Sequence, residues 1–305
     1  PTHGLIDPFG GQADLRARCI RCVGDPYRRF EEDALRILRA LRFCAVLCFP
    51  IESKTAAALC QKAETLRAVS VERIYAELCK LVCGAGAHDV LMRYASVVRV
   101  FLPALAACID GHPAKYRNFL DVLFACPPIL PLRLAALFGG AACDAQDAGQ
   151  AARQALLLLH ADNATVDLAA RLAAFKGDLP VSMPQARRLL RRFPPQEIDL
   201  VFALERARAL AENPTCRMLR LRSIARAQSL VEAVLLQHPC LHVRDLAVSG
   251  HDVMAAGFSG RTVGQALSLL LEAVTDERVC NERGALLAYL CEHSAFSPIQ
   301  NQSQS

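Results

Sequence analysis

The stretch from Asp25 to Phe43, DPYRRFEEDALRILRALRF, constrains the chain more than any other. Pro26 fixes its own φ and pushes Asp25 out of the helical region, so a helix begins just after it. Leu35, Ile37, Leu38, Leu41 and Phe43 supply apolar surface for burial. Glu31, Glu32 and Asp33 read as carboxylates of the first turns, where they suit the positive end of the helix dipole. Arg36, Arg39 and Arg42 follow Asp33 at steps of three. The pattern predicts one helix reaching nearly to Phe49-Pro50, with Asp33, Arg36, Arg39 and Arg42 as a slowly winding charged stripe.

Arginine presents a rigid fork of donors that suits phosphate or a base edge. A carboxylate beside it can accept from an exocyclic amine, as carboxylates do with cytosine. Asp33 and Arg36 together therefore offer acceptor and donor to a Watson–Crick edge. The ordinary alternative is an i, i+3 ion pair on an exposed helix, worth a few tenths of a kcal/mol.

Charge is unevenly spread. The formal net charge is only +5, yet Arg16 to Arg42 holds eight Arg against four carboxylates, and Arg187 to Arg226 holds ten Arg against four. Arg187, Arg188, Arg191 and Arg192 fall on one predicted helix as a compact basic ridge, and Arg217, Arg220, Arg222 and Arg226 repeat the theme. Two basic zones on an acidic remainder suggest a polyanion such as nucleic acid. Arg-rich helix surface with no partner is the plain alternative.

The remaining composition favours helix. Ala, Leu and Arg dominate, aromatics are 6% and Trp is absent. Helices are predicted over Glu52–Lys62, from an N-cap at Ser70, over His88–Val98, Lys115–Phe124, Pro131–Leu137, Ala148–Leu159, Thr165–Phe175 and Pro184–Phe193, from Pro195 through Ala211, up to Gln237, from Gly250 to Gly257, and over Val263–Val274. Leu5-Ile6 reads as the end of a strand, and Asp14 to Val23 as a short strand or connection. Glu72, Arg73 and Glu77 read as surface charges or as a brace for the arginine helix, and His88, His112 and His160 as structural or exposed. The apolar run Leu120 to Ala142 is broken by Asp121, Pro127-Pro128, Pro131, Arg133 and Gly139-Gly140, which argues against a membrane span.

Of the 14 Cys, only Cys19 and Cys22 form a CxxC pair, and no second pair or His-x-His cluster completes a zinc set. The cysteines read as small buried hydrophobes of a reducing compartment. No metal site is expected in this chain. Asp144 and Asp147 have the wrong spacing for a metal-holding Asp-x-Asp pair.

LIDPFGG (Leu5 to Gly11), Asp14-Leu15 and IRCVGDPYRRFEEDALRILRALRF together resemble the class II tRNA nucleotidyltransferases, the CCA-adding enzymes and bacterial poly(A) polymerases. The resemblance continues in SVERIYAELCKLV (Ser70 to Val82) and returns from Leu241 to Leu287, which is similar to the tRNA-binding tail of the bacterial CCA-adding enzymes. It implies an all-α, elongated neck, body and tail after a short N-terminal remnant of an α/β head. The implied partition is 1–26 head remnant, 27–86 neck, 87–186 body and 187–297 tail, with a disordered 298–305.

The resemblance also implies that Glu32, Asp33 and Arg36 form the family's EDxxR template selecting CTP and ATP, with Arg39 and Arg42 beside them. It implies tRNA as partner, held by its acceptor and TΨC arms, with Arg187, Arg188, Arg191, Arg192, Arg217 and Arg220 as contacts. In the family the catalytic head carries a Gly-Gly turn, an Asp-x-Asp pair holding Mg²⁺ and an Arg-Arg-Asp-Phe-Thr strand, all expected before Pro1. The implied function is addition of CMP, CMP and AMP to tRNA 3′ ends in the cytoplasm, with this chain inactive alone. A poly(A) polymerase or A-adding enzyme, and a non-catalytic helical RNA-binding scaffold, are the alternatives.

Overall fold

The computed structural model describes residues 6–141 and 148–293. Among the described residues every regular element is helical, apart from one isolated parallel bridge between Ile20 and Ile51. The chain forms two compact units. One comprises the residues up to Gly177 with Leu200–Leu219, and the other Asp178–Asp199 with the chain from Arg220 onward.

The first unit opens with α1 (Gly11–Arg16), so Asp14 is helical, and of the two readings of 14–23, short strand or connection, the connection is the one found. Only Ile20 is strand-like, its N–H donating to Pro50 O and its carbonyl accepting from Glu52 N. Next come α2 (Pro26–Glu32), α3 (Leu35–Leu47), α4 (Ser53–Gln61), a 3-10 turn (Ala63–Ala68) and α5 (Val71–Val82). The single helix expected after Pro26 is broken at Asp33, whose backbone is extended at φ −150°, ψ 99°. The break folds α2 away from α3, so that Phe30 as well as Ile37, Leu38 and Leu41 is buried. An aspartate suits such a break because its short carboxylate caps the next helix, here by accepting from Leu35 N at 3.2 Å.

Leu59, Leu66, Leu78 and Leu81 complete this core, with α3 packed on α5. Truncating one such leucine to alanine costs about 2–5 kcal/mol. Glu52 caps α4, its Oε2 accepting from Thr55 N at 2.8 Å. Ser70 does sit at the N-cap of α5, but its side chain makes no capping bond.

α6 (Ala87–Arg93) and α7 (Ala95–Phe101) replace one expected helix, the chain turning at the buried Tyr94. α8 (Pro103–Gly111), not anticipated, precedes α9 (Pro113–Ala125), α10 (Leu130–Ala141), α11 (Ala148–Leu158) and α12 (Asn163–Ala173). The α10 helix is nearly continuous in apolar residues because it packs on α9, α11 and α12 at once. His88 ties α6 to α9, with Nε2 2.9 Å from Asp121 Oδ1 and Nδ1 3.0 Å from Asp89 Oδ1. The aspartates at 144 and 147 and the tail expected over 298–305 lie outside the described residues.

The second unit holds α13 (Met183–Arg192), parts of α14 (Pro195–Ala211) and α15 (Pro214–Leu236), then α16 (Gly250–Ala255), α17 (Arg261–Thr275) and α18 (Arg283–His293). Its core gathers Leu246, Val248, Val253, Leu270, Leu271, Leu286 and Leu290. Ser249 and Asp252 cap α16 reciprocally. Asp252 is also gripped by Arg283 of α18, so one carboxylate organises both helices. No helix among the described residues is long and apolar enough to cross a membrane.

Candidate nucleotide and nucleic-acid site

The break at Asp33 changes the charged stripe. Asp33 stands at the corner between α2 and α3 rather than within one helix, half-buried, while Arg36, Arg39 and Arg42 remain on α3. The Asp33 carboxylate is held from two sides, accepting from Leu35 N and from Arg73 Nη2 at 3.3 Å (Oδ1) and 3.5 Å (Oδ2). The Arg73 contact is long and exposed, the kind worth under about 1 kcal/mol, so it orients the carboxylate without burying it. Arg36 is half-buried, and its Nε is enclosed with no hydrogen-bond partner.

Glu32 pairs with Arg29 within α2 at 2.6 Å and is exposed. Arg39 is exposed on α3. Arg42 turns inward, its Nη1 lying 3.2 Å from Glu77 Oε2 and its guanidinium 4.1 Å from the Phe43 ring centroid. Glu77 is therefore no surface charge: it is 8% exposed. The contact is an ion pair rather than an aligned hydrogen bond, since Oε2 finds no partner of good geometry. Two residues of α5, one turn apart, thus hold the two ends of the 33–42 segment: Arg73 at Asp33, Glu77 at Arg42. Glu72, by contrast, is exposed and meets His160 Nδ1 at 2.7 Å.

The basic ridge of α13 faces carboxylates of its own unit. Arg187 Nη1 lies 2.8 Å from Glu277, Arg188 pairs with Asp276, and Arg191 Nη1 lies 2.6 Å from Glu272. These acids sit on the last turn of α17 and just beyond it, where the helix dipole also favours cations. Arg192 rests 5.3 Å over the Phe193 ring. Arg217 donates to Glu212 O at 3.1 Å, with its Nε buried and unbonded. Arg220 is half-buried on α15.

Two further arginines of α15, which belong to the basic zone of the sequence but not to its expected contacts, behave differently. Arg222 and Arg226 are exposed and, among the described residues, make no hydrogen bond or ion pair. Their i, i+4 spacing opposite the buried Ile224, Ala227 and Val231 is the signal that marks them. Arg226 lines a groove of about 560 Å³ with Ser223, Ser229, Leu230, Pro180 and Val181.

Among the described residues no group of three His, Cys, Asp or Glu side chains gathers to hold a metal ion. The Mg²⁺ that the resemblance implies has no fitting donor set here. Cys22 donates its backbone N–H to Thr55 Oγ1, and burial pushes its thiol up.

The family model described as "Probable RNA and SrmB- binding site of polymerase A" matches residues 48–109, which include α5. A CCA-adding enzyme of Levilactobacillus brevis is 54% identical over 80 residues, 26% of this chain and 20% of that enzyme. A CCA-adding enzyme of Limosilactobacillus fermentum is 29% identical over 304 residues, 93% of this chain and 65% of that enzyme. The crystal structure of the Bacillus stearothermophilus CCA-adding enzyme in complex with CTP superposes with a TM-score of 0.69 at 27% identity, covering 94% of this chain and 68% of that one. The chain thus spans less than two thirds of the length of these curated relatives. With the EDxxR corner braced by α5, the chain is similar to CCA-adding enzymes along nearly its whole length, and these likenesses support a member of the class II CCA-adding enzyme and poly(A) polymerase family.

Proposed function

We propose that this chain is the nucleotide-selecting and tRNA-binding part of a cytoplasmic CCA-adding enzyme, which adds CMP, CMP and AMP to tRNA 3′ ends from CTP and ATP. The observation that carries the reading is the pinned 33–42 segment: a partly exposed Asp33 at a helix corner, Arg36 on the next turn, and α5 bracing both ends. Cytosine and adenine both present an exocyclic amine beside a ring nitrogen acceptor. Asp33 accepts from the amine while Arg36 donates to the ring edge. Uracil lacks the amine and guanine carries it elsewhere, so both are rejected by leaving a polar group unpaired.

Arg42, held by Glu77, braces the helix, and the exposed Arg39 reaches phosphate. In this reading the segments 27–86, 87–186 and 187–297 serve as neck, body and tail. The tail contacts the acceptor and TΨC arms by phosphate, the way duplex RNA is generally held. Arg222 and Arg226 add to the contacts assigned to Arg187, Arg188, Arg191, Arg192, Arg217 and Arg220.

Phosphoryl transfer depends on metal ions bridging the phosphates, and the sequence contains no Asp-x-Asp pair to hold them. The chain alone therefore binds substrates without joining them. Equilibrium binding of the four triphosphates tests the reading. CTP and ATP should bind more tightly than GTP and UTP, and equal affinities for all four would overturn it.

A further inference from the structure

Burying a guanidinium is costly unless every donor is satisfied. Arg133 on α10 is 6% exposed and touches no carboxylate. Its donors go instead to backbone carbonyls at the ends of two helices. Nη1 donates to Val82 O at 2.7 Å and Gly84 O at 3.1 Å, at the end of α5. Nη2 donates to Cys126 O at 3.0 Å, while Nε is shared between Cys126 O at 3.3 Å and Pro127 O at 3.2 Å, at the end of α9. The negative ends of two helix dipoles thus stand in for a counter-ion. Burial still lowers the proton affinity of the group, but arginine keeps its charge where lysine would not.

The α5 end is gripped from the opposite side by α3. A Cβ on Gly84 would lie 2.7 Å from the backbone C and O of Ala45, and Gly86 N donates to Ala45 O at 2.8 Å. The 82–86 corner is therefore clamped between Arg133 and the last turns of α3. The two helices so joined are those that carry Glu77 and Arg42, and α5 also holds Asp33 through Arg73.

We propose that Arg133 is a positioning residue for nucleotide selection: by locking the α5 carbonyls it fixes the spacing of α5 from α3, and with it the placement of Asp33 and Arg36. The inference rests on the reading of Asp33 and Arg36 as the nucleotide-selecting pair. Sub-ångström tolerance at a recognition site makes such a remote support matter.

The test compares the full chain with Arg133→Lys, whose amine gathers its donors at one point and cannot span two helix ends. Two readouts are taken: amide hydrogen exchange, and equilibrium binding of CTP and UTP. Exchange in α3 and α5 should quicken about tenfold or more relative to α11 and α12, and the preference for CTP over UTP should fall by about tenfold or more. Exchange that quickens uniformly, exchange that is unchanged, or an intact CTP preference would each overturn the proposal. If Arg133→Lys does not fold, Gly84→Ala decides by the same readouts, since it displaces the same corner with the guanidinium in place. A wild-type chain that shows no CTP preference refutes the functional reading instead, and the exchange pattern still decides whether Arg133 couples α5 to α3.

Discussion

The Glu77 carboxylate lies 3.2 Å from the Arg42 guanidinium, and both side chains are close to buried, at 10% and 13% exposure. This pair joins α5 to α3 beneath the proposed nucleotide edge. Breaking a buried pair from one side leaves a bare charge in a low dielectric, which costs far more than the pair itself is worth. Glu77→Gln should therefore destabilise the first unit by about 3–5 kcal/mol, whereas Glu77→Leu with Arg42→Met should come close to wild type. Urea unfolding of the single variants and the double variant measures this. Equal losses in the single and double variants would show that the site tolerates the lone charge.

Asp33 has two duties that can be separated. Asp33→Ala removes both the acceptor for a base amine and the cap on Leu35 N. It should relax the preference for CTP over UTP by roughly the 1–3 kcal/mol of a bidentate base contact. Asp33→Asn retains a carbonyl for the cap while weakening the pull on Arg73, so it should preserve stability better than selectivity. Binding of all four triphosphates to each variant checks this. A uniform loss across the four would make Asp33 a structural cap only.

The two sets of arginines should differ in salt dependence. Arg222 and Arg226 carry uncompensated charge, so replacing both with Gln should lower the slope of log K against log salt for tRNA by about 0.7–0.9 for each phosphate left without its arginine. Arg187, Arg188 and Arg191 already face Glu277, Asp276 and Glu272. Their replacement should move the slope less and lower the melting temperature of the second unit more. Titrations at several salt concentrations, with a melt of each variant, compare them directly.

Acid should loosen the second unit through Asp252. The Ser249 N–H and hydroxyl, and then Arg283, hold this carboxyl well below the usual carboxylate range. Because the folded value is depressed, its stabilising contribution is fully present above the unfolded value of about 3.9 and is lost as pH falls toward the folded value. Asp252→Asn should therefore lower the melting temperature at neutral pH and flatten its fall below about pH 4. Melts between neutral and strongly acid pH check the sign. A variant with an unchanged acid profile would assign the acid loss to another carboxylate of this unit, such as Asp245.

Much of the helical order was legible in the sequence because its signals are local. The 3.6-residue apolar repeat, the prolines at helix starts and the turn pairs all act within a few residues. Pro195 through Ala211 and the helix after Gly250 stand where the pattern put them. The charged block Glu32-Asp33-x-x-Arg36 was equally visible, because a motif is a property of adjacent residues. The break at Asp33 was not visible. An acidic residue among helix formers does not announce that Phe30 and Leu38 will both find core only if the helix bends between them.

Nor could spacing show that Glu77 would be buried against Arg42, or that Arg187, Arg188 and Arg191 would meet acids more than 80 residues away on α17 and just beyond it. The same holds for Arg133, which looked like an interruption of an apolar run and is instead the donor that ties two helix ends together. Sequence determined which segments are helical and which residue types cluster. Tertiary packing alone decided which charges are satisfied inside the molecule and which remain for a partner, because the partner of a charge is set by the neighbours that hydrophobic burial brings to it.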